Sequence, residues 1–148
     1  MIHSIIMSET LKYKKLYSCA YDLVRATSKS VGFDIKSIED VDLLCWNKAI
    51  IKTGIQVQPP EGTYIRVASR SGLAVRGITV EGGVIDPDFT GEIKVILYNH
   101  SPNDAQVKCG MRIAQLVTEK VAFPSILQVD TFNESSERGE NGFGSSGL

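Results

Sequence analysis

The sequence predicts an all-β fold, a sandwich or a barrel, in a single domain. Three observations support this prediction. The chain has 148 residues, which is enough for one sizeable core. From about Leu11 onward, short apolar segments, some rich in β-branched residues, are separated by Gly, Pro, Asn and Asp. Several short strands at this spacing are typical of sandwiches and barrels.

Four segments have the clearest strand pattern. The first is rich in β-branched residues, the second alternates, and the strong turn signal PPEG lies between them. The third also alternates, with Ile93, Val95 and Leu97 on one side. A second turn, SPND, separates it from the fourth. In chain order, the predicted strands lie within residues 49–57, 63–68, 91–100 and 105–109.

Two further segments fit either a helix or a strand. Residues 37–49 begin with a possible helix cap, Ser37 with Asp40 three residues later, and have apolar residues at partly helical spacing. Residues 111–123 also show some helical spacing. The pattern alone leaves both segments open.

Composition and charge limit the function classes. The chain is 43% apolar and 22% charged, which excludes wholesale disorder. A net charge of -1 gives no footprint for sequence-independent binding of nucleic acid. No apolar run is long enough to span a bilayer, and no signal pattern follows Met1. We therefore expect no membrane partner and an intracellular location, cytoplasmic or nuclear.

The cysteines predict neither a disulfide framework nor a zinc site. Cys19, Cys45 and Cys109 are odd in number, far apart and without C-x-x-C spacing. We expect three reduced and mostly buried thiols.

The chain divides into a flexible lead-in at residues 1–10, a folded domain at 11–134 and a Gly-rich tail at 135–148. Four of the 13 glycines lie in the last ten residues, but the tail also contains Arg138 and Phe143. A purely flexible tail needs neither residue. A segment that wraps a nucleotide needs free backbone N–H groups, a fixed cation for phosphate and an aromatic face for the base.

Two internal segments also contain residue types suited to a nucleotide. SRSGLA at 69–74 supplies a permanent charge, a hydroxyl donor and room for backbone approach to a phosphate, although such a segment alone is usually an ordinary turn. EGGVIDPDFTGE at 81–92 predicts a β-hairpin with turn-forming Asp residues. As a functional site, this hairpin would lay its backbone against a small planar ligand, with Asp86 as a base.

Five segments, in order and at suitable spacing, resemble the five motifs of the trimeric dUTPase family (deoxyuridine triphosphate nucleotidohydrolases). The resemblance covers nearly the whole chain from Leu11. A decoy for the first motif, YDL at 21–23, lacks the preceding Gly and lies too early relative to the second motif. The five segments are GFDIKS at 32–37, SRSGLA at 69–74, GVIDPDFTG at 83–91, GMRIAQLV at 110–117 and RGENGFGSSG at 138–147.

The resemblance implies a homotrimer of jelly-roll subunits with a mobile C-terminal lid, which uses Mg²⁺ to convert dUTP and water into dUMP and pyrophosphate. It implies that Asp86 orients and deprotonates the water that attacks the α-phosphorus. Asp34 would hold the water shell of the metal rather than the metal itself. Each active site would take the first, second and fourth motifs from one subunit, the third from another and the fifth from the remaining one. Under this resemblance, the two ambiguous segments are strands or extended loops.

The resemblance also implies the substrate contacts. Backbone groups at 83–85 would read the edge of uracil, and Phe89 would pack under the deoxyribose. Arg138 would reach the γ-phosphate, and Phe143 would stack over uracil as the tail closes. The full set of expected substrate-binding residues is Arg70, Ser71, Gly72, Gly83, Val84, Ile85, Phe89, Lys94, Gln115, Arg138, Phe143, Gly144 and Ser145.

Four positions depart from the family's pattern. Ser69 stands where Pro is usual, which we expect to loosen the turn before the second motif's arginine. Phe89 replaces Tyr and keeps the ring. Met111 replaces an acidic residue, and Lys36 replaces an aromatic or small one. None of the four removes a proposed catalytic group, so the sequence predicts an active enzyme.

Two alternatives differ in class. A dCTP deaminase, or a bifunctional deaminase–dUTPase, would share the jelly roll but have a different polar set around the base. The two glycines at 82–83 and the Gly-rich tail favour a dUTPase. A nucleotide-binding or signalling module without activity would keep the fold, but it would not need all five motifs.

Overall fold

The computed structural model of the chain describes residues 9–132. These residues form ten strands and one short helix. In chain order they are β1 (Lys12–Lys15), β2 (Phe33–Lys36), β3 (Val41–Leu43), β4 (Lys48–Gln58), β5 (Thr63–Ala68), α1 (Ser71–Ala74), β6 (Ile78–Glu81), β7 (Val84–Ile85), β8 (Ile93–Asn99), β9 (Ala105–Val107) and β10 (Arg112–Lys120).

The strands form two four-stranded antiparallel sheets and one two-stranded ladder. The sheets have the orders β1-β4-β8-β6 and β2-β10-β5-β7, and β3 pairs with β9. Most neighbours within a sheet are distant in sequence, so the chain crosses repeatedly between the sheets, as in a jelly-roll sandwich. The predicted all-β fold is confirmed. No helix within residues 9–132 is both long and apolar enough to cross a membrane.

The core lies between the two sheets and is built by strand alternation. In β8, Ile93, Val95 and Leu97 are buried while Lys94 between them is exposed. Full burial of one such aliphatic side chain contributes about 1.5–3 kcal/mol. The largest fully buried apolar side chains are Ile35, Leu43, Ile51, Ile55, Ile65, Ile93, Leu97, Ile113 and Leu116.

All four predicted strands are present, as β4, β5, β8 and β9. The two ambiguous segments are extended, as the family resemblance implied: β10 fills most of residues 111–123, and residues 37–49 contain β3 and the start of β4. Pairing with neighbouring strands overrides their partial helical spacing. The four-residue helix α1 was not predicted.

The segment at 81–92 is not the predicted two-stranded hairpin. β6 pairs with β8 in one sheet and β7 pairs with β5 in the other, so the chain changes sheets at the two glycines between them. Gly83 has a φ of 94°, and a Cβ there would press against the carbonyl oxygen of Val67. The predicted turn is present, because the N–H of Phe89 donates to the carbonyl of Asp86 at 3.1 Å.

The cysteines are free, but they are not mostly buried as expected. Cys19 and Cys109 are exposed, and Cys45 is half-buried. All three lie in turns between strands, where the two sheets cannot cover them.

A charged cluster links β5 to β10 on the outer face of their sheet. Glu119 accepts hydrogen bonds from the hydroxyl of Tyr64 at 2.5 Å and from Nε of Arg66 at 2.7 Å. The Arg66 guanidinium, and then the Tyr64 hydroxyl, hold the pKa of the Glu119 carboxyl below its usual value. The folded state therefore favours ionised Glu119.

We expect this cluster to make stability depend on pH at the acidic end. A carboxyl with a lowered pKa in the folded state stabilises the protein above its unfolded pKa of about 4.3. That contribution is lost as the pH falls through the folded-state value. Replacing Glu119 by Gln should lower the free energy of unfolding at pH 7, and the deficit should shrink on acidification. Urea denaturation at pH 7 and at an acidic pH measures the free energy of unfolding of the parent and the variant. Glu61→Gln, in the exposed turn after β4, is the matched control. An equal deficit at both pH values would contradict the assignment.

The last described segment, residues 121–132, runs beyond β10 without forming a strand. It is apolar and uncovered: Ile126, Leu127 and Phe132 are 99%, 83% and 90% exposed. Apolar side chains in such a row are normally covered by another surface.

Candidate active site

One sheet brings three of the five motif segments together. Asp34 on β2 pairs with Gln115 on β10, and Gln115 pairs with Ala68 at the end of β5. Arg70 follows two residues after Ala68. The antiparallel register therefore places side chains from three distant parts of the sequence side by side.

Asp34 is the centre of a charged cluster. Its Oδ1 accepts a hydrogen bond from Nε of Arg70 at 2.9 Å, and its Oδ2 accepts one from Nη1 of Arg112 at 3.3 Å. The Asp34 side chain is only 17% exposed. Because one carboxylate faces two guanidinium groups, the cluster keeps a net positive charge and a fixed geometry. The sequence predicted Asp34 and Arg70 as site residues but not this direct pair.

Gln115 is held between β2 and the end of β5. Its Nε2 donates to the carbonyl of Ser69 at 3.0 Å. On the other side it packs on Gly32, where a Cβ would overlap the side-chain oxygen of Gln115. Gly32 therefore makes room for Gln115, a packing role that the motif itself did not predict.

Ser69 does not loosen the turn before Arg70, contrary to expectation. Its hydroxyl accepts the backbone N–H of Val80 at 2.8 Å. Val80 lies on β6, the last strand of the other sheet, whose outer edge has no strand partner within residues 9–132. Ser69 therefore joins the two sheets at the start of the second motif, where Pro would have supplied only a fixed φ.

Replacing Ser69 by Ala should destabilise the fold. The Val80 N–H would lose its acceptor, so we expect the free energy of unfolding to fall by about 1 kcal/mol. Chemical denaturation measures this change. Ser69→Thr keeps the hydroxyl and should stay close to the parent. An unchanged stability in Ser69→Ala would show that water replaces the hydroxyl without loss.

A pocket of about 440 Å³ opens beside the Asp34 cluster. Gly72, on α1, lines it, and a Cβ at Gly72 would meet no atom within 4 Å, so a ligand can approach the backbone there. Ser71 is exposed at the start of the same helix. The charged side chains that line the pocket are Lys36, Arg70, Arg76 and Arg112.

Asp86 lies elsewhere, on the turn that follows β7. The turn is exposed, and Asp86 lines a pocket of about 470 Å³ with Pro87, Asp88 and Phe123. The ring of Phe89 folds back over Gly91, where a Cβ would clash with it, and is 43% exposed. The turn thus presents two carboxylates, those of Asp86 and Asp88, and one aromatic face to the outside of the chain.

Similarity to known proteins identifies the family of this chain. The model of the dUTPase family matches residues 20–147. The chain belongs to the dUTPase family. Among its relatives, the deoxyuridine 5'-triphosphate nucleotidohydrolase of Arabidopsis thaliana is 45% identical over 142 residues, which are 95% of this chain and 85% of the plant protein. That of Paramecium bursaria Chlorella virus 1 is 44% identical over 140 residues, 94% of this chain and 99% of the viral protein.

Solved structures of dUTPases share the fold. The dUTPase of Staphylococcus bacteriophage 80alpha with dUPNHPP superposes with a TM-score of 0.89 at 32% identity, and the match covers 95% of this chain and all of the phage chain. A mutant dUTPase from phage phi11 of S. aureus, described for its coordination of a structural Mg(II) ion, has a TM-score of 0.78 at 27% identity. That match covers 84% of this chain and 99% of the phage chain.

Within one chain, Asp86 of the third motif lies apart from Asp34 and Arg70. Ile85 pairs with Ile65, so Asp86 lies beside Tyr64, six residues before Arg70 along β5 and its extension. At about 3.3 Å per residue, the path along the strand direction from the level of Asp86 to Arg70 is about 20 Å long. This separation is longer than a triphosphate together with the arginine side chain. One chain alone therefore does not bring Asp86 to Arg70, although Gly83, at the start of the third motif, accepts a hydrogen bond from the N–H of Val67 at 2.8 Å.

The remaining residues expected to bind the substrate lie in three different parts of the chain. Val84 and Ile85 form β7, and Gly83 directly precedes it. Lys94 is exposed on β8 in the other sheet, opposite Lys52, and does not line the pocket beside Asp34. Four further residues lie outside the described part of the chain: Arg138, Phe143, Gly144 and Ser145.

Proposed function

We propose that this chain hydrolyses dUTP to dUMP and diphosphate by attack of water on the α-phosphorus. The observation that supports it most is the meeting of Asp34, Arg70 and Gln115 beside a cationic pocket, in a chain of the dUTPase family. Relatives carry the name deoxyuridine 5'-triphosphate nucleotidohydrolase, and a neighbouring structure holds dUPNHPP. The activity limits uracil in DNA and supplies dUMP for thymidylate synthesis.

The pocket beside Asp34 has the chemistry of a triphosphate site. Arg70 and Arg112 are pre-positioned by one carboxylate, so their donors do not reorganise when phosphate oxygens arrive. Ser71 and the accessible backbone at Gly72 add uncharged donors. Gln115 is the strand partner of Asp34, and its amide keeps one N–H for a phosphate oxygen beside the one that donates to Ser69.

The β7 segment suits the base and the sugar. In the described part of the chain, β7 is the last strand of its sheet, so one edge of Gly83, Val84 and Ile85 has no strand partner there. Such an edge offers alternating N–H and C=O groups to the edge of uracil. Phe89, two residues beyond Pro87, presents its ring for the deoxyribose and excludes a 2′-hydroxyl by contact.

Asp86 acts as the base. A carboxylate that accepts a proton from the attacking water must lie within hydrogen-bond reach of it. Asp86 is exposed in one chain, so the substrate and a second subunit must cover it to exclude bulk water.

Mg²⁺ fits the residues that are present. Within residues 9–132 no group of three His, Cys, Asp or Glu side chains could hold a metal directly. Mg²⁺ keeps several waters and is commonly held by one carboxylate and substrate phosphates. Asp34 retains acceptor capacity beside its two arginines and would contact the metal through water. When bound, the metal neutralises charge on the phosphate oxygens.

Three chains would share each site in a homotrimer. The distance between Asp86 and Arg70 supports a third motif contributed by a second subunit. The uncovered apolar segment at 121–132 supports contact with another subunit as well. The fifth motif, with Arg138 and Phe143, would close each site from the third chain.

The test is pyrophosphate release from dUTP, compared with dTTP, dCTP and UTP assayed separately as substrates, with Mg²⁺ present or removed by chelation. We expect release from dUTP alone, and a strong loss without Mg²⁺. Release of ammonia from dCTP would favour the deaminase alternative. Binding of dUTP without pyrophosphate release would leave only a nucleotide-binding module.

A further inference from the structure

The pocket beside Asp34 contains more positive charge than its ion pairs account for. Lys36, Arg70, Arg76 and Arg112 line it, and Asp34 is the carboxylate that pairs with two of them. Within residues 9–132, neither Lys36 nor Arg76 belongs to an ion pair. Unpaired cations gathered around one cavity favour an anionic ligand there.

The ammonium group of Lys36 is positioned by an aromatic ring. Its Nζ lies 5.0 Å from the centre of the Tyr21 ring, within the range of a cation–π contact. The Tyr21 hydroxyl in turn contacts Sγ of Cys109 at 3.6 Å. Gly110 packs against the same hydroxyl, since a Cβ there would lie 3.0 Å from it. Tyr21 is therefore a fixed platform for the ammonium group.

The strand register places Lys36 against Arg112 in spite of their like charges. The two residues are direct partners across β2 and β10. Like charges directly opposite each other on a sheet are destabilising. A binding role for Lys36 would offset this cost, because a phosphate group between the two cations removes the repulsion.

We propose that Lys36 is a further substrate-binding residue, which contacts the pyrophosphate half of the nucleotide and retains pyrophosphate after hydrolysis. This inference rests on the proposed dUTPase function for its biological meaning. It predicts that the pocket binds pyrophosphate, and this affinity can be measured without turnover.

The experiment titrates inorganic pyrophosphate into the full-length protein by calorimetry, without Mg²⁺, in the parent and in Lys36→Met. Loss of one charge-assisted contact should raise the Kd about tenfold. The inhibition constant of pyrophosphate against dUTP hydrolysis should rise by a similar factor. The salt dependence of binding should become shallower, since one fewer charge is screened.

Two variants control for other causes, and two further variants repeat the test. Lys36→Arg keeps the charge and should retain the parent's affinity. Lys48→Met removes a lysine at the start of β4, outside the pocket, and should change nothing. Met111→Glu introduces a carboxylate into the lining and should weaken binding as Lys36→Met does. Lys36→Gln provides the same measurement if the Met variant folds poorly.

Equal affinity in the parent and in the Lys36→Met or Lys36→Gln variant would overturn the proposal. An equal loss in Lys48→Met would also overturn it, because net charge rather than the pocket would then decide affinity. These results are independent of the proposed function, which fails only if the parent releases no pyrophosphate from dUTP.

Discussion

Replacing Asp86 by Asn should lower kcat for dUTP by about 100- to 10,000-fold, the usual contribution of a general base. Asn keeps the shape and hydrogen-bonding reach of Asp but cannot accept the proton from water. The loss should appear in kcat while dUTP still binds, because the phosphate contacts lie on other motifs. Steady-state kinetics, together with calorimetric binding of dUTP, measure both parts.

Asp88→Asn is the matched control for this variant. Asp88 lies on the same exposed turn and lines the same pocket, so its replacement removes a carboxylate without removing the proposed base. We expect its kcat to stay close to that of the parent. Full activity in Asp86→Asn, or an equal loss in Asp88→Asn, would remove Asp86 from the mechanism.

Mixing two inactive variants should restore activity to about a quarter of the parent's, as expected for a closed cyclic trimer. The variants are Asp86→Asn and Arg70→Ala, whose sites of change are separated by about 20 Å along the strand direction of one chain. If a site takes Arg70 from one subunit and Asp86 from the next, every mixed trimer contains one site with both groups intact. Random mixing at equal amounts makes three quarters of the trimers mixed, and one site in three is whole in each.

The measurement is dUTP turnover after the two variants are unfolded together and refolded. Each variant refolded alone is the control and should stay inactive. Mass spectrometry of the assembled protein confirms that mixed trimers form. Mixed trimers without recovered activity would mean that both residues serve a site from the same chain, and the shared site would be rejected.

Much of the fold could be predicted from the sequence, because several strands have a recognisable local pattern of apolar residues. The alternation over 63–68 and the β-branched run over 49–57 correspond to β5 and β4 almost residue for residue. The same signals were ambiguous over 111–123, where pairing on both sides of β10 decided the outcome. Strand pairing between distant segments is not a local property, so the sequence could not supply it.

The sequence predicted which residues belong to the site, but it did not predict how they are arranged. Residue types and motif order identified Asp34, Arg70 and Gln115, but their meeting depends on the register of three strands. Two roles were missed for the same reason. Ser69 bonds to Val80 in the opposite sheet, and Gly32 makes room for Gln115. Each partner lies too far along the chain for a pattern of neighbours to disclose it.

The uncovered segment at 121–132 has a thermodynamic consequence. If another subunit covers its apolar side chains, folding and association are one equilibrium, and mass action governs both. The melting temperature should then rise with protein concentration, since the assembled state is favoured by more chains. Dilution should reduce activity per chain, because an isolated chain loses its cover and the groups that its neighbours contribute.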